Sequence, residues 1–453
     1  MDFKKTILWS GRLYKLLEKV GLDNKFNLDN IIDNNFPQIM ANLQTFAKFD
    51  KIAICQTNGK KTTTNILNQI LDADDKTYIT NVNYDAKKYQ PLTSIILDIA
   101  RGVDIFDSSC EKDHYVMAMN EFELDYYFNS MKFDYLLLGN LFIDQKDFAG
   151  LNEKRIKIQK AITLNSKLNL IINADEPMFH KIDNIKNDTI LNKARDKFYY
   201  GFNNIEYCDE TYTLEQKNDI LKCPICGCDL DYKKRFYSHI GHYDCECGFK
   251  RPKLDLSADA KIFNDYTFLT VYYKTDKYVF RIPLGGIHNA YNALGAIAVA
   301  INLEIKRKTI TEAFENYKGL KSIDDTFLHK NKQIKIKTVK NPVSLTNAVR
   351  ELFANKITKV VFALSDTLQD GVDTSWIWDA NFDSLRGFEN KIYVTSNRFD
   401  DMALRLKQAG VNPSLIIMEG SLKNAINCCY WELQLQDMAL YHLSDKYEQA
   451  HLY

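Results

Sequence analysis

Residues 51–71 read KIAICQTNGKKTTTNILNQIL. Ile52, Ala53, Ile54 and Cys55 form the short apolar run of a buried strand, and Thr57-Asn58-Gly59 turns the chain. Thr62 then opens a segment that places Ile66, Leu67, Ile70 and Leu71 on one helical face. Strand, glycine turn and helix start together aim backbone N–H groups and a lysine at one point. A helix N-terminus attracts anions, and glycine lets the backbone approach them closely. The stretch therefore predicts a phosphate site whose candidates are Thr57, Asn58, Gly59, Lys60 and Thr62. It does not meet the strict pattern G-x-x-x-x-G-K-[ST], because Ile54 holds the first glycine position and Lys61 the hydroxyl position. The plain alternative is a strand–turn–helix with a solvated, lysine-rich turn.

Downstream, Tyr115–Met119 reads as a strand ending in Asn120-Glu121-Phe122-Glu123. A carboxylate just past a strand's C-terminal end is well placed to hold Mg²⁺ beside a nucleotide. Asp134–Leu138 and Leu168–Asn173 give further strands, so strands alternate with helices from 51 to 177. That alternation predicts a doubly wound parallel sheet. Strands are expected at Phe268–Tyr273 and Tyr278–Ile282. Gly285-Gly286-Ile287-His288-Asn289-Ala290-Tyr291-Asn292 then opens an alanine-rich helix. Its N-terminus, bearing Asn289 and Asn292, can hydrogen-bond a base or a phosphate, or can simply cap a core helix.

Between 207 and 257 the texture changes. Cys223-x-x-Cys226 is followed nineteen residues on by Cys245-x-Cys247, and Gly227 and Gly248 follow the second cysteine of each pair. Two such knuckles on short hairpins, converging on one tetrahedral ion, make a zinc ribbon, with Cys228 and His242 as reserve ligands. Four thiolates close the coordination sphere, so the expected Zn²⁺ is structural. Asp229, Asp231, Asp244 and Glu246 deny the ribbon a basic face for nucleic acid.

Length and charge set the outer limits. A chain of 453 residues exceeds one core. The predicted division is an N-terminal helical arm (1–48), a central domain (49–305) carrying the ribbon at 207–257, and a last domain (306–453). In the arm, Leu13, Leu16, Leu17 and Val20 form an apolar face that packs on the next domain, with a membrane-surface role as the alternative. The 59 basic and 59 acidic side chains cancel, which leaves no global field for nucleic acid or an anionic membrane. The longest apolar run, 294–301, is too short to cross a bilayer. With no h-region near the N-terminus, a cytoplasmic protein is expected. In the last domain, strands at 334–339, 359–363, 391–395 and 415–418 alternate with helices at 344–352 and 400–408, a second, Rossmann-like α/β unit.

TNGK followed by threonines resembles the ATP loop of the Mur ligase family, usually TGTNGKTT. Gln56 stands where that family has glycine, and Lys61 where it has the Thr or Ser that holds Mg²⁺. Gly286-x-His288-Asn289-x-x-Asn292 is similar to the family's G-x-H-N-x-x-N word, which implies that His288, Asn289 and Asn292 line an ATP site. The family's Glu-x-Asp-Glu stretch implies Glu121 for Mg²⁺, with Glu123 in reserve. Gly139–Gln145 resembles the NLFRDQ segment of the MurT family within the Mur ligases, with Ile143 in place of its arginine, and 168–177 resembles its LNADDP turn. Asp370-Gly371-Val372-Asp373-Thr374-Ser375-Trp376-Ile377-Trp378-Asp379 resembles that family's DGxDxSWIWD word. Lys340-Asn341-Pro342 and 401–407 match its C-terminal domain, whereas 318–322 departs from a Gly-Arg-x-Glu word. The tryptophans are read as core.

The resemblance implies an ATP-dependent ligase subunit that amidates the D-glutamate α-carboxylate of a lipid II stem peptide. Ammonia would come from a separate GatD-type glutamine amidotransferase, to which Asp370 would lend the acid of the catalytic triad, with Asp373 and Asp366 as rivals. The inner face of the membrane stays open as a location. Two alternatives stand beside this reading: an amino-acid-adding Mur or folylpolyglutamate-type ligase, and a non-catalytic scaffold favoured by Gln56, Lys61, Ile143 and the altered 318–322 stretch.

Overall fold

The structure, a computed structural model, describes residues 49–81, 112–142, 151–165, 167–180, 182, 196–208, 222–263, 265–319, 324–329, 332–339, 341–354, 359–366, 374–431 and 438–443. The expectations placed on the 1–48 arm, Ile143, residues 320–322, Asp370 and Asp373 lie outside these residues. The chain runs β1 (Asp50–Cys55), α1 (Lys60–Ala73), β2 (Tyr78–Asn81), β3 (His114–Met119), α2 (Leu124–Ser130), β4 (Tyr135–Leu138), α3 (Leu151–Thr163), β5 (Asn169–Asn173) and β6 (Lys197–Tyr207). A hairpin of β7 (Asp231–Tyr237) and β8 (Ile240–Asp244) follows, then β9 (Leu256–Ile262), β10 (Thr267–Tyr273), β11 (Asp276–Ile282), α4 (Ile287–Asn302) and α5 (Arg307–Glu315). The second unit holds β12 (Asp324–His329), β13 (Lys332–Thr338), α6 (Pro342–Ala354), β14 (Lys359–Leu364), β15 (Ile392–Thr395), α7 (Phe399–Gln408), β16 (Ile416–Glu419), α8 (Leu422–Trp431) and β17 (Met438–Leu443).

Nine strands form the central sheet in the order β11-β10-β9-β6-β5-β4-β1-β3-β2. From β2 to β9 the neighbours are parallel, and β10 and β11 close one edge antiparallel. Parallel strands need cover on both faces, and the apolar runs supply it residue by residue. Ala53, Cys55, Tyr115, Met117, Leu136 and Leu138 face one core with Leu124 of α2 and Ile158 of α3. Ile52, Ile54, Val116 and Leu137 face the other, with Ile66 and Leu67 of α1 and Leu294 and Ile297 of α4. Each such aliphatic side chain fully buried contributes about 1.5–3 kcal/mol. The result is the expected three-layer, doubly wound unit, with β1 inside the sheet between β4 and β3.

In sequence the hairpin β7–β8 lies between β6 and β9, which pair with each other inside the sheet, so the cysteine-rich segment is an excursion between two neighbouring strands. Beyond the expected boundary at 306, α5 packs on the central unit. Ile310, Ala313 and Phe314 of α5 join the core shared by α1 and α4, because the helix's apolar face completes that layer. The second sheet, β12-β13-β17-β14-β15-β16, is parallel except for β12. Trp376 sits in its core as expected, but Trp378 is 37% exposed, with the Arg405 guanidinium 5.8 Å from its ring. Among the described residues no helix is long and apolar enough to cross a membrane.

Candidate functional site

Strand β1 ends at Cys55, and the turn Gln56–Gly59 delivers the chain into α1. Gly59 has φ +84°, and a Cβ there would lie 2.2 Å from Asn292 Oδ1, so both backbone and space demand glycine. The first N–H groups of α1 lack carbonyl partners inside the helix, and its first turn carries no acid. Beside them, Lys60 Nζ donates to the Thr57 carbonyl at 3.3 Å. Thr57, Asn58, Gly59, Lys60 and half-buried Thr62 are thus gathered round one helix start, with Lys61 exposed.

The turn is held from the neighbouring strand end. Thr57 N donates to Asn140 O at 3.0 Å, Asn58 N to Asn140 Oδ1 at 2.9 Å, and Asn140 Nδ2 back to Asn58 O at 2.9 Å. Phe142 N donates to Thr57 Oγ1 at 3.0 Å, and that hydroxyl donates to Glu121 Oε1. Glu121 is buried just beyond β3, with Lys154 Nζ 3.9 Å from its carboxylate. Burial alone pushes its carboxyl up. Lys60, Lys154 and the Thr57 hydroxyl outweigh that and leave it below the ordinary value of 4.5. An ionised carboxylate and a lysine therefore flank the helix start, as a nucleotide and its metal require. Glu123 is exposed at the start of α2.

The helix word at 286–292 packs against the loop from below. Asn292 is buried beneath the turn, where its Oδ1 accepts from Gln56 Nε2 (3.0 Å) and Thr63 Oγ1 (3.2 Å), and its Nδ2 reaches Asn289. Asn289 Nδ2 donates to the Gly285 carbonyl at 2.8 Å, and the half-buried His288 ring lies against Gly286. Asn292 therefore braces the loop from below rather than offering its amide outward. Gln56 extends that brace: its amide bonds Thr63 at 2.9 Å and fills the space that Gly139, lacking a side chain, leaves open.

Asn140, Lys154 and Asn341 take part although no role at this site was read for them from the sequence, Asn341 standing only in the Lys340-Asn341-Pro342 word. Asn341 caps α6 by accepting from Ser344 N at 2.9 Å, and its Nδ2 donates to Asn58 Oδ1 at 2.8 Å. Asn140 stood in a quoted run, but nothing local marks a buried lysine on α3.

In the hairpin unit, the sulfurs of Cys223, Cys226, Cys245 and Cys247 all lie within 4.8 Å of one another. Cys223–Cys247 are 3.6 Å apart and Cys226–Cys245 3.5 Å. Tetrahedral thiolates with Zn–S bonds of about 2.3 Å would sit about 3.8 Å apart, so the donor set fits zinc. Gly227 (φ +78°) and Gly248 (φ +84°) turn each knuckle, donating to the Cys223 and Cys245 carbonyls. The Cys228 backbone, and then Cys245, pulls the Cys226 thiol down to about 6. Of the reserve ligands, Cys228 lies beside Cys226, whereas His242 Nε2 bonds the Phe202 carbonyl at 2.7 Å.

A family model described as "Mur ligase middle domain" matches residues 56–300, and one described as "MurT ligase C-terminal" matches 338–445. The protein named lipid II isoglutaminyl synthase (glutamine-hydrolyzing) subunit MurT from Staphylococcus aureus (strain COL) is 31% identical over 372 residues, 81% of this chain and 79% of that one. This chain belongs to the MurT family of Mur ligases. The MurT of Streptococcus pneumoniae (strain ATCC BAA-255 / R6) is 28% identical over 85% of this chain and 83% of its own. Among solved structures, a pseudomurein peptide ligase type C from Methanothermus fervidus superposes with a TM-score of 0.64 at 20% identity, covering 94% of this chain and 81% of that one. MurF from Acinetobacter baumannii gives 0.58 at 15%, covering 90% and 76%. The last two establish the Mur ligase fold.

Proposed function

We propose that this chain is the ligase subunit of a glutamine-dependent lipid II isoglutaminyl synthase. ATP would phosphorylate the α-carboxylate of D-glutamate in the stem peptide, and ammonia would displace phosphate from the acyl phosphate to leave an amide. The observation that carries this reading is the match to MurT, which runs through both α/β units. The loop supports it: α1 offers N–H groups and Lys60 to the phosphates, and Gly59 supplies the left-handed backbone that turns the chain into the helix. Mg²⁺, when bound, neutralises charge on the transferring phosphoryl group, and Glu121 is the residue here that would hold it. Zn²⁺ would be held by Cys223, Cys226, Cys245 and Cys247 in a closed, structural site.

The ammonia would come from a GatD-type amidotransferase, and Asp370 would orient that partner's catalytic histidine. Of its rivals, Asp366 is already engaged by Asn397 and lies 3.6 Å from Arg398, which suits a structural role. Co-expression with a GatD-type subunit, then an ATP- and glutamine-dependent amidation assay on lipid II, tests the proposal. Absence of product from an assembled, folded complex would reject it. One observation favours the scaffold alternative: the Gln56 side chain occupies the position of a family glycine while Lys61 replaces a hydroxyl. A complex that assembles without binding ATP would select that reading.

A further inference from the structure

The segment Gly139–Phe142 lies between the phosphate loop and the tip of the β7–β8 hairpin. On one side it holds Thr57 and Asn58 through the Asn140 and Phe142 bonds described above. On the other, Leu141 N donates to Glu176 Oε2 at 3.1 Å. The same oxygen lies 2.8 Å from His239 Nε2, and Met178 N donates to Glu176 Oε1 at 3.2 Å. A buried carboxylate needs such donors, so the imidazole Nε2 is the third, its hydrogen directed at Glu176. The Phe142 ring packs edge-on to Tyr237 (5.4 Å) and against the His239 ring (5.0 Å). Glu176, His239, Phe142 and Tyr237 are all buried.

The hairpin is built to make this contact. Its two-residue turn passes through Ser238 at φ +50°, the left-handed conformation that such tight hairpin turns take. That turn drives His239 inward. Gly241 N donates to the Asp175 carbonyl at 2.9 Å, and Arg251 Nε to Asp175 Oδ1 at 2.5 Å, so strand β8 and the segment that follows it are tied to the Asp175-Glu176 turn. The Tyr237 hydroxyl accepts from Asn347 of α6, whose cap Asn341 reaches Asn58. The tip therefore sits where the phosphate loop, the strand end after β4 and the second α/β unit meet.

We infer that the tip of the cysteine-rich hairpin, through His239 and Glu176, positions the phosphate loop. His239 is a positioning residue: it fixes Glu176, Glu176 fixes Leu141, and the Asn140–Phe142 backbone fixes Thr57 and Asn58. The hairpin thus acts in nucleotide binding rather than as a remote stability module. The nucleotide part of this inference rests on the function proposed above; the loop-ordering part does not.

The test uses the full chain with His239→Phe, which keeps the ring but not the donor, and His239→Gln, which restores a donor. Zinc content, amide hydrogen exchange over 57–60 and 139–142, and affinity for the ATP analogue AMP-PNP are measured. His239→Phe is expected to retain the parent's zinc and fold, exchange about tenfold faster in both segments, and bind AMP-PNP about tenfold more weakly, the size of one hydrogen bond to a charged group. His239→Gln should return both readings to within about twofold of the parent. Should His239→Phe not fold, Glu176→Gln breaks the same contact from the other end and is read the same way. Parent-like exchange in these variants overturns the inference, as does faster exchange with undiminished affinity. If the parent binds no AMP-PNP, the proposed function fails while exchange still decides the role of His239.

Discussion

Replacing Glu121 by glutamine removes one charge from a buried set without changing its shape. The carboxylate and the Lys154 side chain are each 2% exposed, and Lys154 Nζ lies 3.9 Å away. At an effective dielectric constant of about 20 that separation is worth about 4 kcal/mol of attraction. Removing one member of a buried pair costs about 3–5 kcal/mol, because the other charge stays buried without compensation. The low end applies here: Lys154 keeps its 2.7 Å bond to the Phe142 carbonyl, and the new amide oxygen can still accept from Thr57. We expect Glu121→Gln to destabilise the central unit by about 3 kcal/mol, a fall of roughly 6–12 °C in its melting midpoint for a unit of this size. The pH dependence has a definite sign. The folded carboxyl lies below its ordinary 4.5, so its stabilisation is complete above that value and is lost as pH falls through the lower, folded one. Urea titrations of both proteins from pH 7 down to pH 4 should show a constant gap that narrows below about pH 4.5. A gap under about 1 kcal/mol at pH 7, or one that widens on acidification, would refute the charge-pair account.

The metal-site prediction is that purified protein carries one zinc ion, and that Cys245→Ser loses it and melts the hairpin unit, since such modules fold with their ion; elemental analysis and circular dichroism check both, and well-folded protein without zinc counts against the site. At the loop, Lys61→Thr should leave stability within about 0.5 kcal/mol, because the position is exposed, while making AMP-PNP affinity more Mg²⁺-dependent by calorimetry. Gln56→Gly should instead destabilise by about 2–4 kcal/mol through a buried void and two lost hydrogen bonds, read by urea titration. Asp370→Asn should leave folding and assembly with a GatD-type partner intact while glutamine hydrolysis falls at least about a hundredfold; undiminished hydrolysis would move the assignment to Asp373.

Much of the fold was legible because its central strands are buried on both faces. Sequences such as IAIC, YVMAM and YLLL have no polar interruption to obscure them. Strand β6 escaped notice because KFYYGFNNIEY mixes apolar residues with a glycine and two asparagines, and its register slips between Phe202 and Asn204. The packing of α5 on α1 and α4 was not legible, because its apolar face shows only that it packs, not on what. The loop residues came together as read, since they are nearly consecutive. The bracing partners did not: Asn140 lies 82 residues from Asn58, and Asn341 283 residues away. No periodicity encodes a pairing of two amides. The bond from Gln56 to Asn292 was illegible for the same reason, because the two lie 236 residues apart.

The last described strand, β17, lies inside its sheet, parallel to β13 on one side and β14 on the other. Until Met438–Leu443 has been synthesised, β12–β13 and β14–β15–β16 are separate fragments, each with an open edge. The strand's closing contacts span about a hundred residues of intervening chain, so this unit has a high contact order and closes late. On the ribosome, the nucleotide-loop unit can be complete while its partner sheet still waits for its middle strand. A truncation ahead of Met438 would therefore split that sheet rather than trim it.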